Sequence, residues 1–281
     1  MRSEQRIETF DEQGSLLATC GPWLGANEAE HNVLLGARTA GRPTPAGGES
    51  FLRVVVLDET RLVASLTGRR LQLSRATSSD AVPALATALA RRSEEICVVA
   101  GPVDVTAAFA EAWERVTSRP LRVQMRQQIY ALTSLHRPRM VSGIFRPAAP
   151  EDQTLLSDWI VAFAEEARLP VSDASAMRAD IAVRIAGKTL FVWDDEGVVS
   201  MAAIVRTTPH GGGVYTRLTP PPRRARGYAS ACVASVSARV LRDGKRFCFL
   251  HADQANPTSN RIYEALGYEP IAEAAVWVPS G

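Results

Sequence analysis

The feature that most limits what this chain can fold into is a recurrence at half its length. Each half offers the same run of elements in the same order: helices, a meander of strands, a helix, a buried strand, a second helix and a long closing strand. In the first half, helices are expected over about Thr9–Gly21 and Asn27–Thr39, with an exposed loop, GRPTPAGGE, after them. FLRVVVLD and RLVASLT form a hairpin and LQLS a short third strand. A helix capped by Ser79 or Asp80 runs to Arg92, followed by strand ICVVAG, helix VTAAFAEAWERVT and the long strand LRVQMRQQIYALTSL.

The second half begins with strand SGIFRPA and helices over Glu151–Arg168 and Ala174–Ala186. Strands TLFVW, VVSMAAIVRT and VYTRL follow, then a helix from Gly227 to Arg242, strand KRFCFLHA, a short helix over Pro257–Leu266 and strand EPIAEAAVWV. Solenoid repeats have periods of about 20 to 50 residues, so a recurrence at half of 281 residues reads as a duplicated domain. The break falls at the polar, proline-bearing stretch His136–Ser142, giving units of 1–138 and 139–281. Both are expected to be α/β (α+β), a mixed and mostly antiparallel sheet flanked by helices.

Composition narrows the function. With 46% apolar residues the chain supports packed cores, and 32 basic against 30 acidic residues leave a net charge of only +2. No face or tail carries a long run of one sign, so nucleic acid and anionic membrane are poor partners. No stretch approaches the roughly 20 apolar residues of a membrane span, and the polar N-terminus lacks the pattern of a signal peptide. A cytoplasmic protein is expected. Its four cysteines lie far apart among apolar neighbours, which suits reduced, buried thiols better than a disulfide frame or a zinc site.

The chemistry-bearing segment is TPPPRRARGYAS, which joins strand VYTRL to helix GYASACVASVSARVL. Ala229, Val233, Val236 and Val240 form one buried stripe, so the helix N-terminus points out of the end of the strand. Unpaired N–H groups and the positive end of the helix dipole make that turn an anion cradle. Gly227 admits close backbone approach, and Arg223, Arg224 and Arg226 add charge. An arginine-rich turn before a helix is most often a solvated cap, so the segment is not decisive alone. NPTSNRIYEALGYEP supplies the second signal: Asn256 as cap, Pro257 at the first helical position, Asn260 and Tyr263 on one face, and Gly267 as stop. Tyr268 fills the structural aromatic role that would otherwise fall to Tyr263.

Together these residues resemble the GNAT superfamily of acyl-CoA-dependent N-acyltransferases. Arg224-Ala225-Arg226-Gly227-Tyr228-Ala229 matches the family's pyrophosphate loop, and Asn256, Tyr263, Gly267 and Tyr268 match its later Asn, Tyr, Gly and aromatic. The resemblance covers the C-terminal half. It departs at Ala225, where relatives tend to carry glycine, and at Arg223, which either reaches the cofactor's 3′-phosphate or faces water. The N-terminal half has the same order of elements but no glycine or arginine at its corresponding helix start, RATSSDAVPAL, and no later Asn–Tyr pair. It resembles a degenerate repeat; an unrelated α/β unit is the other reading.

The resemblance implies acetyl transfer from acetyl-CoA to a primary amine by direct attack. Arg217, Leu218 and Thr219 would pair with the pantetheine arm, and Arg224 to Ser230, with Asn256 and Asn260, would hold the rest of the cofactor. Tyr263 matches the family's general acid, while the base is open among His251, Asp253, His210 and water. The acceptor, a small molecule or a peptide amine, is not legible, and a homodimer is possible. Two other readings remain: a non-catalytic acyl-CoA sensor, and an interaction module on the same scaffold.

Overall fold

The computed structural model describes residues 5–36, 49–56, 59–166 and 174–280. In the first half the elements are β1 (Gln5–Phe10), α1 (Gln13–Gly25), α2 (Asn32–Leu35), β2 (Glu49–Val56), β3 (Glu59–Thr67), β4 (Arg70–Ala76), α3 (Ala81–Arg91), β5 (Val98–Pro102), α4 (Val103–Thr117) and β6 (Leu121–Leu132). In the second half they are β7 (Ile144–Pro147), α5 (Gln153–Glu166), α6 (Ala174–Ala186), β8 (Leu190–Asp194), β9 (Val198–Thr207), β10 (Gly211–Leu218), α7 (Tyr228–Arg242), β11 (Phe247–Asp253), α8 (Pro257–Ala265) and β12 (Glu269–Pro279).

Two expectations are corrected at the N-terminus. The chain opens with a strand, β1, which pairs antiparallel with β2, so the first helix starts only at Gln13. Polar strands at a sheet edge carry weak local signal, and pairing decides them. The second helix is a single turn at Asn32–Leu35, and the loop GRPTPAGGE lies largely outside the described residues. Asp80 does stand at the start of α3, but its side chain makes no capping bond.

All twelve strands form one sheet in the order β1-β2-β3-β4-β5-β12-β6-β11-β10-β9-β8-β7. Adding six to each strand number of the first half reproduces the second half read from the other edge, so the order has an approximate twofold centre between β12 and β6. The closing strands are exchanged across that centre. β6, from the first half, lies between β11 and β12; β12, from the second, lies between β5 and β6.

Strand alternation splits each half into two cores. Leu52, Val54, Leu62 and Ala64 pack under α3 and α4, while Phe51 and Val63 point the other way into α1 and α2. In the second half Phe191, Ala202 and Val214 pack under α7, and Leu190, Val192, Met201 and Ala203 under α5 and α6. Cys20, Cys232 and Cys248 are buried free thiols, as expected, whereas Cys97 is a free thiol that is only half-buried. Among the described residues no helix is long and apolar enough to cross a membrane, and no His/Cys/Asp/Glu group is arranged to hold a metal ion.

Candidate active site

The site is built where β10 leaves β11. The two run parallel only at Gly211–Gly213, opposite Phe247–Phe249. Close approach there requires glycine: a Cβ on Gly212 would stand 2.5 Å from Val240 Cγ1, and one on Gly213 2.7 Å from the Phe249 ring. At Val214 the side chains return, the register against β9 shifts, and the ladder to β11 ends. A second shift between Thr216 and Leu218 makes Arg217 the extra residue of a bulge. The strands splay into a V, and the backbone of 214–218 faces the opening without a ladder to β11. An extended ligand carrying amides could pair there.

The V opens towards the arginine loop. Pro221–Arg223 form one 3₁₀ turn, Ala225 sits at φ 62° and Gly227 at φ 89°, both left-handed, and α7 begins at Tyr228. Gly227 is the capping residue and brings no side-chain oxygen, so the first-turn N–H groups of α7 point outward uncapped. The contrast with α8 is informative: there Asn256 Oδ1 accepts from Ser259 N at 3.1 Å, the cap expected from the sequence. Arg224, Ala225 and Arg226 are exposed, and Arg224 Nε donates to the Thr219 carbonyl at 3.0 Å. Ala229 and Ser230 are half-buried on the first turn. The residues present suit a pyrophosphate. Asp195, at the β8–β9 turn, meets the start of α7: it accepts from the Tyr228 hydroxyl and from Ser142 Oγ at 2.9 Å. Those bonds hold its carboxyl below the usual range, with Arg223 and Arg226 assisting.

Leu218 is buried in the core beneath α5 and α6, and Thr219 Oγ1 shares a hydrogen bond of 2.9 Å with Ser200 Oγ. Asn260 Nδ2 donates to the Asp253 carbonyl at 3.1 Å, tying α8 to the end of β11. Tyr263 is buried, with its ring 6.1 Å from Tyr130 and 5.9 Å from Tyr268. Tyr268 takes the structural role expected of it, its hydroxyl bonded to Ser237 Oγ at 2.7 Å. Tyr130 had no part in the expected site, yet the exchange of β6 brings it from the other half. Its hydroxyl donates to Glu264 Oε1 at 3.1 Å, and burial, followed by that carboxylate, pushes its pKa up to about 12.

Three residues were open as the base. His210 stands at the β9–β10 turn, a whole strand from the arginine loop, where its Nδ1 meets Glu28 Oε2 at 2.7 Å. Glu28 Oε1 also accepts from Thr208 Oγ1, His210 N and Gly211 N, so this pair clamps the two halves together. His210 serves that clamp. Asp253 Oδ1 caps the following turn by accepting from Ala255 N at 2.9 Å. His251 lies on the V, but Asn32 Nδ2 donates to its Nε2 at 2.8 Å. Arg206 Nη1 fixes that amide by donating to Asn32 Oδ1 at 2.7 Å. Burial, then the charges of Arg206 and Arg70, push His251 down to about 3. A base so weak, with its acceptor nitrogen occupied, is poorly suited to taking a proton from an amine.

Asn32, Arg206 and His251 belong to a recess of about 190 Å³ at the apex of the V, which also borders Arg70, Gln72 and Gln127. Sequence reasoning missed it, because its residues come from distant strands of both halves and no local pattern marks them. A larger recess, about 390 Å³, lies between Cys97, Trp113 and Pro120 and shares no residue with the V.

Residues 191–278 match the family model described as FR47-like protein. Among solved structures, an acetyltransferase of the GNAT family from Colwellia psychrerythraea superposes with TM-score 0.58 at 12% identity, over 98% of this chain and 99% of that one. The fold is that of the GNAT acetyltransferases. A tandem GNAT protein from the clavulanic acid biosynthesis pathway, described as without AcCoA, matches over 99% of both chains at 14% identity with TM-score 0.56. A GCN5-related N-acetyltransferase from Sphaerobacter thermophilus matches at 14% identity and TM-score 0.56, over 97% and 95%. No curated protein matches the sequence. These likenesses cover both halves, and the arginine loop joins β10 to α7 with α8 following β11.

Proposed function

We propose that the protein transfers an acetyl group from acetyl-CoA to a primary amine by direct attack. The observation that carries this reading is the opening between β10 and β11, which ends at a glycine-started, uncapped helix inside an arginine loop. Acetyl-CoA supplies an activated thioester. Arg224, Arg226 and the first-turn N–H groups of α7 hold its pyrophosphate, and the free backbone edge of Arg217–Thr219 receives its pantetheine arm and offers an N–H to the thioester oxygen. Thiolates with a pKa near 8.5 leave faster when protonated, and the Tyr263 hydroxyl supplies that proton. Water takes the amine proton, since His251 and His210 are engaged elsewhere.

Titration should give one acetyl-CoA per chain, and Gly227→Val should abolish it: φ is 89° there, and a Cβ would stand 2.9 Å from Val141 Cγ1. Tyr263→Phe should keep that affinity while lowering kcat on the order of 100-fold. Wild-type binding by Gly227→Val would remove the loop from the cofactor site, and unchanged turnover in Tyr263→Phe would leave that residue to packing.

A further inference from the structure

α8 is nine residues long, and helices that short are marginal in water unless tertiary contacts hold them. Its first turn is held twice, by the cap at Asn256 and by Asn260 Nδ2 donating to the Asp253 carbonyl of β11. The last turn, where Tyr263 stands, is tied to the other half of the chain. Tyr130 of β6 donates its hydroxyl to Glu264 Oε1 at 3.1 Å and lies 3.5 Å from Asn260 Oδ1. The backbone N–H of His136, just past β6, donates to the Leu266 carbonyl at 2.9 Å. Asn260, Tyr263 and Glu264 stand at i, i+3 and i+4, so the Tyr130 hydroxyl meets α8 on the face that carries Tyr263. Tyr130 is 3% exposed, with its ring centroid 6.1 Å from that of Tyr263. Phenylalanine would supply the same ring to the core, so the work of the hydroxyl is its bond to α8. With a pKa of about 12 it remains a donor at any neutral or mildly alkaline pH.

We propose that Tyr130, contributed by the first half, is a positioning residue for acetyl transfer: its hydroxyl, bonded to Glu264, fixes the rotation of α8 that aims the Tyr263 hydroxyl at the departing sulfur. This rests on the reading of Tyr263 as the acid. Aromatic contacts tolerate a range of tilts, whereas a hydrogen bond is directional, so the bond to Glu264 sets an angle that ring packing leaves loose. A small roll of α8 is amplified at the tip of a long, rigid side chain. Proton transfer requires hydrogen-bond reach, and a displacement of about 1 Å can cost on the order of 100-fold in rate. Tyr130 acts through Tyr263 and supplies no reacting group. The exchange of β6 thereby makes the first half part of the alignment of the acid.

The test uses the full chain. Turnover is followed by free-thiol release from acetyl-CoA with an amine that proves active in a panel of L-lysine, glucosamine and spermidine, and CoA affinity by calorimetry. Tyr130→Phe should lower kcat on the order of 10-fold while the KM for acetyl-CoA and the CoA affinity stay unchanged. Glu264→Gln keeps an acceptor oxygen and should retain most of the turnover. Glu264→Ala should match Tyr130→Phe, and the two together should lose no more than either alone. Glu264 is exposed, so that variant carries the test if Tyr130→Phe folds poorly. The deciding measurement is Tyr130→Phe made in Tyr263→Phe: with the acid gone there is nothing left to aim, and kcat should fall no further. A residue that only stabilises the fold would cost the same factor in both backgrounds. That result, or full turnover in Tyr130→Phe, would overturn the positioning role and leave acetyl transfer standing. Unchanged turnover in Tyr263→Phe would refute the acid and this role with it, and a chain that binds CoA but acetylates no amine would overturn the transferase reading and this role together.

Discussion

Residues 139–281 carry the whole arginine loop, the V and α8, so a truncated protein without the first half would seem sufficient for activity. The exchange of β6 argues otherwise. That strand forms six residue pairs with β11 and ten with β12. It also buries Ile129, Tyr130 and Leu132, which are 2%, 3% and 1% exposed. At about 1.5 to 3 kcal/mol for each large apolar side chain, those three contribute roughly 5 to 9 kcal/mol. Domains are stable by only about 5 to 15 kcal/mol, so the loss is of the order of the whole. β11 would become an edge and β12 would lose both of its neighbours, and such unpaired strands template aggregation. A fragment of 139–281 should therefore be insoluble or lack fixed tertiary packing by near-ultraviolet circular dichroism. Co-expression with 1–138 should recover a one-to-one complex that binds acetyl-CoA. The competing outcome is that β12 moves into the place beside β11 that β6 vacates. A monomeric fragment melting cooperatively within a few degrees of the full chain would refute the reasoning.

Two further perturbations test local features. Ala225 holds φ 62° on the exposed loop; left-handed geometry costs a non-glycine residue about 1 to 2 kcal/mol, and glycine loses roughly 0.5 to 1 in backbone entropy. Ala225→Gly should thus raise stability by about 0.5 to 1 kcal/mol in denaturant titration, and a loss would mean that the methyl group is used in packing. His251 has its pKa lowered from 6.5 to about 3, so between those values the unfolded chain binds the extra proton and stability falls with pH. This stability is fully present above pH 6.5; at pH 5 about 2 kcal/mol of it is gone, with His31, lowered by burial, acting in the same direction. Denaturation at pH 7 and pH 5 should show a smaller drop in His251→Gln than in wild type, and equal drops would mean that His251 is not held neutral.

What could be read from the sequence was what is local. The cap at Asn256, the stop at Gly267, the turn at Gly227 and the buried stripe Val233, Val236 and Val240 each depend on neighbours within a few positions and take the expected place, while Ala229, expected in that stripe, is only half-buried. The strained position was legible too, because alanine stood where a flexible residue was wanted, and Ala225 is left-handed. Pairing partners were not. β6 and β12 alternate in the same way whichever strand lies beside them, so nothing in LRVQMRQQIYAL distinguishes a strand that stays at home from one that crosses. The chemistry of His251 was equally hidden. Its position at the end of the strand opposite VYTRL suggested a base, but the group that occupies its Nε2 is Asn32, 219 residues away.

The two halves differ at the helix start that in the second half belongs to the proposed cofactor site. β4 and β5 run parallel over three residues, Arg70–Gln72 against Val98–Ala100, just as β10 and β11 do, so the first half keeps the same short contact between strands. What differs is the helix that follows. α3 starts after Asp80 in ordinary helical geometry, φ −83°, where α7 starts after a left-handed glycine. Asp80 already puts a negative charge at the positive end of the helix and repels a phosphate; Gly227 leaves that end open. Arg70 and Gln72 of β4, with Ala100 and Gly101 of β5, form one wall of the recess whose opposite wall is Arg206 and the apex of the V. Residues of both halves thus line the place where β10 and β11 part, which gives a physical reason for the two units to share one sheet.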